Sequence, residues 1–579
     1  MLVSGQDNPP EIGTQAPDIA TFEPTAENLT PLPPGIAGVV ENDAGAVAGA
    51  IVQIQGTPIT TESNEFGIFS FSNISGTTPV MLTAWSPGHY IGWAEVNPSS
   101  PDWSGGQDIQ IMLHRVPAGD NPEYEWFEEE GVRGSASCSL CHREYPEWKA
   151  DAHSQSAENI RFLTMYTGND VNGNTGPTTQ YDTEGIPLPR DPDVAYYGPG
   201  FRLDNYNRAG NCATCHTPLA STAPNTQNCA WSGCHTDLTV ERSYGVIAQP
   251  ASPLVQRASE GITCEFCHKI SEVYVDRETG LPYPDMPGIL SVRLHRPRND
   301  SQQVFFGTLL DVTRNDAYLP YLSESEFCSS CHFGVFGGVV GMERVTDGTT
   351  IYNSYGEWLA SPYSNPESEV TCQDCHMPPS GSNWFVFAER GGLERDYVTL
   401  HDHTMLGVSD EAFMQNAVTL DANAERLDGQ VQIEVNITND KTGHHVPTDA
   451  PMRSMILVVE AYDADGNVLQ LLDGSVNPDY AGDFAGVAGE TYAKILRDDL
   501  TGEMPSAAIW RPVTIVEDNR IAAMATDTTS YTFAVPDNTT VTVHVRLLFR
   551  RAFYDLANIK GWNDPDILME ETTIELPVN

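Results

Sequence analysis

Every cysteine of this chain belongs to a pair, and a histidine follows directly after each pair. Five pairs have the same short gap: Cys138-Ser-Leu-Cys141-His142, Cys212-Ala-Thr-Cys215-His216, Cys264-Glu-Phe-Cys267-His268, Cys328-Ser-Ser-Cys331-His332 and Cys372-Gln-Asp-Cys375-His376. The sixth, Cys229-Ala-Trp-Ser-Gly-Cys234-His235, has a longer gap and completes the use of all twelve cysteines. A disulfide needs two sulfurs at suitable separation, and a zinc ribbon needs four ligands. Neither asks for a histidine directly after the second cysteine. Covalent haem attachment does, because the thiols form thioethers to the porphyrin and the adjacent imidazole is then held under the ring as a proximal iron ligand. With 15 histidines in 579 residues, six of six by chance has odds on the order of one in a billion. The sequence therefore predicts six covalently bound haem c groups, with His142, His216, His235, His268, His332 and His376 as proximal ligands.

Six porphyrins change how the composition reads. Hydrophobic residues make up only 40% of the chain, with 41 prolines and 48 glycines, and residues 119–410 show hardly any sustained helical or alternating apolar pattern. Such a segment would struggle to bury a core of its own, and the porphyrins supply the missing apolar surface. The expectation is a loop-rich, haem-packed c-type cytochrome domain with short helices. A compact domain of about 290 residues has a radius of gyration near 19 Å, which leaves six haems about 22 Å apart between centres. Only 12 residues separate His216 from Cys229, so those two sites are expected to be neighbours.

The sixth position of each iron separates an electron carrier from an enzyme. Nine histidines lie outside the motifs: His89, His114, His153, His295, His401, His403, His444, His445 and His544. His153 ends "EYPEWKADAH", read as a short helix just after the first motif. His295 sits in "RLHRPR", and His401 and His403 in "TLHDHTM" close the haem segment. With His444 and His114 these are the candidate distal ligands. His544 alternates with Val541, Val543 and Val545 and reads as the polar face of a strand. His89 reads equally well as a loop residue.

The flanks predict two β-sandwich domains, making the chain multidomain. Residues 1–34 form a Pro-rich extended arm, residues 35–118 a small sandwich and residues 411–579 a second one. Gly35 to Ile74 alternates short apolar strands with Gly, Asn and Asp turns. The Gly45 turn, "GAIVQI" and "TESNEFGIFSF" resemble the carboxypeptidase-regulatory-like sandwich, a resemblance that implies only fold. In "QVQIEVNIT", Val431, Ile433, Val435 and Ile437 fall on one face, and "SMILVVEAYDADGNVLQLL" predicts a hairpin around Asp465-Gly466. Between them, "NDKTGHHVPTDAP" places two histidines where Asn, Asp or Gly would serve a plain turn better. His444 is therefore expected to reach a haem and dock the C-terminal domain.

"CEFCHK", "SEFCSSCH", "YGEWLASPY", "CQDCHMP" and "TGHHVPT" resemble a group of exported multihaem c-type cytochromes that pair a haem segment with a β-sandwich. Some relatives are extracellular and stack into conductive filaments. The resemblance implies an axial role for the histidine of Gly-His-x-x-Pro, which is His444 here, with His445 beside it. Enzymes of neighbouring families often mark the catalytic haem with a lysine ligand, and no CxxCK occurs here.

Thioether attachment takes place outside the cytoplasmic membrane, so export is expected, to the cell surface or extracellular space, with the periplasm as the alternative. "MLVSGQDNPPEIG" shows no signal peptide, which reads as a mature or incomplete start. No run of about 18 apolar residues is present, so no membrane-spanning helix is expected. With 79 acidic against 30 basic side chains the net charge is −49, and nucleic acid and anionic membranes would be repelled. The expected function is electron transfer by haem-to-haem hopping, without a catalytic residue, to redox partner proteins or an extracellular acceptor, with polymerisation through its own subunits. Two alternatives stay open: a reductase or dehydrogenase of a small nitrogen or sulfur compound, and a periplasmic electron shuttle.

Overall fold

In Gly35–Asn42 every second residue points inward, with Ile36, Gly38 and Val40 buried. That period of two is what a strand with one solvated face requires. The computed structural model describes residues 32–74, 79–98, 105–121, 124, 127–206, 210–221, 260–314, 316–340, 343–344 and 347–578. The motif Cys229 to His235 and the N-terminal arm lie outside the described residues. The strand Gly35–Asn42 pairs antiparallel with Ile68–Ser72, parallel with Ile109–Met112, and turns at Gly45 into Gly45–Ala46. A second sheet runs in the order Thr60–Glu62, Ile51–Ile54, Val80–Trp85, Gly92–Val96. Ile36, Val40, Phe69, Phe71 and Ile111 of the first sheet share one buried core with Val52, Leu82 and Val96 of the second.

The chain divides into two compact units, residues 1–84 with 92–113, and residues 85–91 with 114–579. The loop 85–91 belongs to the second unit. That unit also holds both the motif-bearing segment and the C-terminal sheets.

Among the described residues from 127 to 415 the backbone is organised as one- and two-turn helices, none longer than the eight residues of Ile160–Thr167, joined by loops and two-stranded ladders. Most described motifs sit on such single turns: Ser135–Cys138, Ala213–His216, Cys264–His268, Ser329–His332 and Cys372–His376. Helices this short are not stable by propensity, so tertiary contacts and any bound group must hold them.

Beyond residue 415 the alternation predicted for "QVQIEVNIT" is observed. Val431, Ile433, Val435 and Ile437 are all buried on Gln430–Thr438, which pairs with Thr419–Leu427 on one side and Thr526–Ala534 on the other. A five-stranded sheet follows the order Val513–Asp518, Gly489–Asp498, Ser454–Tyr462, Val541–Arg550, Ile567–Leu576. The two sheets bury their facing sides in one core that includes Met455, Leu457, Val459, Val543 and Val545. The hairpin expected around Asp465-Gly466 does not form as such. Ser454–Tyr462 is buried at almost every position and takes two long neighbours, while Leu471–Asp473 crosses to Thr526–Ala534 in the other sheet. Its turn does close, with Asp463 N on Asn467 O, Leu469 N on Ala461 O and the bridge Tyr462 to Val468, but the pairing stops there.

Polar side chains bolt these sheets to the motif-bearing segment. Arg511 binds Asp204 and Asp498, and Trp510 Nε1 donates to Asp204 as well. Fully buried Lys560 donates to the carbonyls of Thr164, Asn169 and Pro199 at 2.9, 3.0 and 2.7 Å. Three carbonyls match the three protons of an ammonium group. Lys560→Met removes this donor from all three; Thr164 O still accepts the Gly168 amide, and each buried acceptor left unpaired costs about 1–3 kcal/mol if water does not reach it. The expected result is a fall in the unfolding temperature of the second unit by about 3 °C in calorimetry, from a loss near 3 kcal/mol.

Candidate functional site

Within each motif, helical spacing brings the two cysteines, three residues apart, onto one side of a turn with the histidine following. The amides of His142 and His216 donate to the carbonyls of Cys138 and Cys212 at 2.8 and 2.9 Å. Thr263 caps Cys264–His268 by accepting from the Phe266 amide. Thr371 and Asp374 form a reciprocal capping box on Cys372–His376, so the aspartate inside "CQDCH" is there to start the helix. The ten described cysteines form no disulfide.

Among the described residues, three motif histidines face a second imidazole. His268 lies opposite His403 with ring centres 6.4 Å apart, His376 opposite His444 at 6.3 Å, and His332 opposite His153 at 6.2 Å. An imidazole nitrogen binds a metal at about 2.0 Å and lies about 1.1 Å from its ring centre, so two rings on opposite sides of one iron have centres about 6.3 Å apart. All three pairs fall on that spacing. Ring planes are near parallel in the first two pairs, at 19° each, and crossed at 64° in the third.

The hydrogen bonds of these rings leave the same nitrogen available. Nδ1 of His268 donates to Phe306 O at 2.7 Å, that of His376 to Leu406 O at 2.5 Å, that of His403 to His401 O at 3.0 Å and that of His444 to His445 O at 2.9 Å. Anchoring Nδ1–H on an acceptor fixes the tautomer and presents Nε2 to a metal. Burial, reinforced by the opposed imidazole, pushes His376 and His403 down to about 4, and both stay in the neutral form that binds iron. The third pair is held differently. His153 Nδ1 binds Asp151 Oδ1 at 2.7 Å, and His332 Nδ1 binds Asp449 Oδ2 at 3.0 Å. Burial disfavours charge at His332, but the bond to Asp449 outweighs it and raises His332 to about 9, while Asp449 is drawn well below the carboxylate range.

Two glycines allow this packing. Gly261, at φ +67°, lies against the His153 loop, where a Cβ would sit 2.5 Å from Ser156 Oγ and 2.6 Å from His153 O. Gly288, at φ +60°, would place one 2.2 Å from Thr214 O inside the second motif. Neither position tolerates a side chain without displacement.

The remaining histidines are placed as follows. His401 is half-buried and anchors Nδ1 on Met377 O at 2.8 Å. His295, expected as a candidate distal ligand, is buried with both nitrogens engaged, Nδ1 on Pro117 O and Nε2 on Ser271 Oγ at 2.8 Å. These bonds join His295 to two other segments of the chain. His114, also a candidate, is exposed, and His89 is buried with Nδ1 near the carbonyls of Ser86 and Pro87. His544 is exposed on its strand beside Tyr462. His445 turns away from His376 toward Glu357, 3.7 Å away, which decides between the adjacent histidines in favour of His444 as the opposed ring. His142 packs against Phe385, and His216 stacks on Phe162 at 3.7 Å. His153 lies in a turn beyond the helix Tyr145–Ala150, not within it.

The motifs adjoin one another. The thiol of Cys138 meets that of Cys264, Cys215 that of Cys331, and Cys328 that of Cys372. Among the described residues no group of three or more His, Cys, Asp or Glu converges on one point. A haem asks for no such group, since its porphyrin supplies four ligands and the chain only two. Two thiols beside one histidine, with a second imidazole at the spacing of a shared iron, fit haem c at His268, His332 and His376. Asp151 and Asp449 were not singled out by sequence, and the only signal for either is proximity to a candidate ligand in "ADAH" and "HHVPTD".

No protein-family model matches this chain, and no curated protein matches it. Among solved structures it is similar to a penta-heme cytochrome c552 from Thermochromatium tepidum, with 18% identity, 76% of this chain and 98% of that chain covered, and a TM-score of 0.49. The X-ray structure of Northeast Structural Genomics Consortium target SoR45 matches at 9% identity over 28% of this chain and 88% of that chain, with a TM-score of 0.12. The Fcho1 Mu homology domain of Danio rerio with bound Eps15 peptide matches at 10% identity over 23% and 39%, with a TM-score of 0.11.

Proposed function

We propose that this chain is a hexahaem c-type cytochrome whose work is electron transfer. The observation that carries the proposal is the set of three opposed imidazole pairs, each containing the histidine of a Cys-Cys-His motif, at 6.2–6.4 Å. Haem c supplies a one-electron Fe(III)/Fe(II) couple when bound. The residues do the rest. Each cysteine pair would hold one porphyrin, and at His268, His332 and His376 the motif histidine and its opposed imidazole would both ligate the iron. Where that happens, a substrate has no open position, and the chain supports transfer of electrons instead of bond-making chemistry. Adjoining motifs, shown by the thiol contacts between Cys138 and Cys264, Cys215 and Cys331, and Cys328 and Cys372, support short distances between neighbouring groups.

The finer reading is an exported protein at the cell surface or in the extracellular space, delivering electrons to a partner protein or external acceptor and assembling through its own subunits. The need for thioether chemistry outside the cytoplasm, the acidic surface at −49 and the resemblance carried by "CEFCHK", "YGEWLASPY" and "TGHHVPT" support it. No helix among the described residues is long and apolar enough to cross a membrane.

The test is a pyridine haemochrome assay joined to quantified low-temperature electron paramagnetic resonance of the oxidised protein. Six haems per chain, all low-spin, are expected. A high-spin fraction near one haem in six that responds to nitrite, hydroxylamine or sulfite would replace this reading with the reductase or dehydrogenase one. Fewer than six haems would remove the hexahaem reading.

A further inference from the structure

Two carboxylates single out one of the three opposed pairs. In the His268/His403 and His376/His444 pairs, all four Nδ1 atoms bond to backbone carbonyls. In the His332/His153 pair, both Nδ1 atoms bond to aspartates, Asp449 at 3.0 Å and Asp151 at 2.7 Å. A carboxylate at Nδ1–H draws the proton toward itself and makes the imidazole more nearly an anion, hence a stronger donor at Nε2. Stronger donation favours the ferric over the ferrous ion.

The carboxylates are built into place. Asp151 is buried, and its Oδ1 also accepts the His153 amide at 2.8 Å. Asp449 holds φ +59°, a conformation uncommon outside glycine, and its other oxygen accepts Ser354 Oγ at 2.5 Å. Both acceptors are therefore pinned by a second bond from the protein, so each imidazole plane is fixed as well as polarised. The two aspartates come from opposite parts of the chain, one near the first motif and one from the loop that also supplies His444.

We propose that Asp151 and Asp449 are positioning residues that set the site of Cys328, Cys331 and His332 as the most reducing one among the sites with an opposed imidazole pair. The inference rests on the haem reading above. The couple concerned is one electron on one iron, with both Nδ1–H protons retained in their bonds to carboxylate. Electrons from a donor thus settle last at this site and leave it first.

The crossed ring planes provide a handle, because crossed imidazoles leave two iron orbitals nearly degenerate and give a ferric signal of larger g-anisotropy than the near-parallel pairs. The experiment is a potentiometric titration of the full holoprotein followed by electron paramagnetic resonance, on wild type, Asp449→Asn and Asp151→Asn. In the wild type the large-anisotropy signal of the crossed pair is expected to disappear last on reduction. Each variant should shift that couple alone toward the reduced form by about tenfold, which is about 59 mV for one electron, and change its g-values. Either variant alone suffices if the other fails to fold. An unshifted crossed-pair couple at full haem content, or an equal shift of all couples, overturns the inference while leaving the cytochrome reading intact. Loss of haem from the wild type would instead overturn that reading.

Discussion

Replacing His444 with alanine is expected to turn the iron held by His376 from low-spin to high-spin, while the remaining sites stay low-spin and the haem count is unchanged. His444 is the ring opposite His376 at 6.3 Å, and the alternative His445 faces Glu357 instead. Alanine offers no replacement ligand. His403→Ala and His153→Ala should do the same to the sites of His268 and His332. Each substitution should remove one low-spin signal, with the signal lost identified by its g-values. His295→Ala is the contrast: it should leave every low-spin signal in place, since both its nitrogens are bonded to Pro117 O and Ser271 Oγ. Retention of all low-spin intensity in His444→Ala would show that the opposed pair does not share an iron.

The second large effect is on stability. Arg520 and Glu357, 5% and 2% exposed, form an ion pair at 2.8 Å. Glu357 lies on Ser354–Leu359 in "YGEWLASPY", and its other oxygen accepts Thr448 Oγ1 at 2.6 Å and the His445 amide at 3.2 Å. One buried carboxylate therefore ties Arg520, just beyond the strand Val513–Asp518, to the loop that carries His444. Arg520→Ala leaves that carboxylate buried without its counter-charge, a change costing about 3–5 kcal/mol. The expected fall in unfolding temperature of the holoprotein is several degrees, larger than for Arg497→Ala, whose partner Asp499 is itself partly exposed. Neutralising both partners, as Glu357→Gln with Arg520→Met, should recover at least half of the loss, because no isolated charge is then buried. If the single and double variants unfold alike, the pair is not the source of the stability.

Some of this was open to inspection of the sequence. The cysteine and histidine spacing is a covalent requirement, readable without knowing where anything lies in space. Val431 to Ile437 alternate because one face of their strand is buried, and a local period of two shows it. His153, His403 and His444 were singled out as candidates on local grounds and are the rings found opposite motif histidines. His295 was singled out on equally good local grounds, yet Ser271 and Pro117, 24 and 178 residues away, take both its nitrogens. The hairpin expected at Asp465-Gly466 had the correct turn residues, with Gly466 at φ +80°. Its second arm nevertheless joins another sheet, because strand pairing is settled by which faces need covering.

By itself, then, the sequence determined what each local unit is: six Cys-Cys-His motifs, the flanking strands with their buried faces, and nine histidines outside the motifs. Local chemistry suffices there, since attachment needs residues within a few positions and strand alternation needs only the neighbours. The tertiary structure alone decided which spare imidazole meets which motif, that His445 turns to Glu357 while His444 does not, and that two aspartates distant in the chain lie under one pair. Those outcomes depend on contacts between residues far apart in the chain, from 68 positions for His376 and His444 to 179 for His153 and His332, where a side chain's role is set by what folding brings within about 3 Å of it.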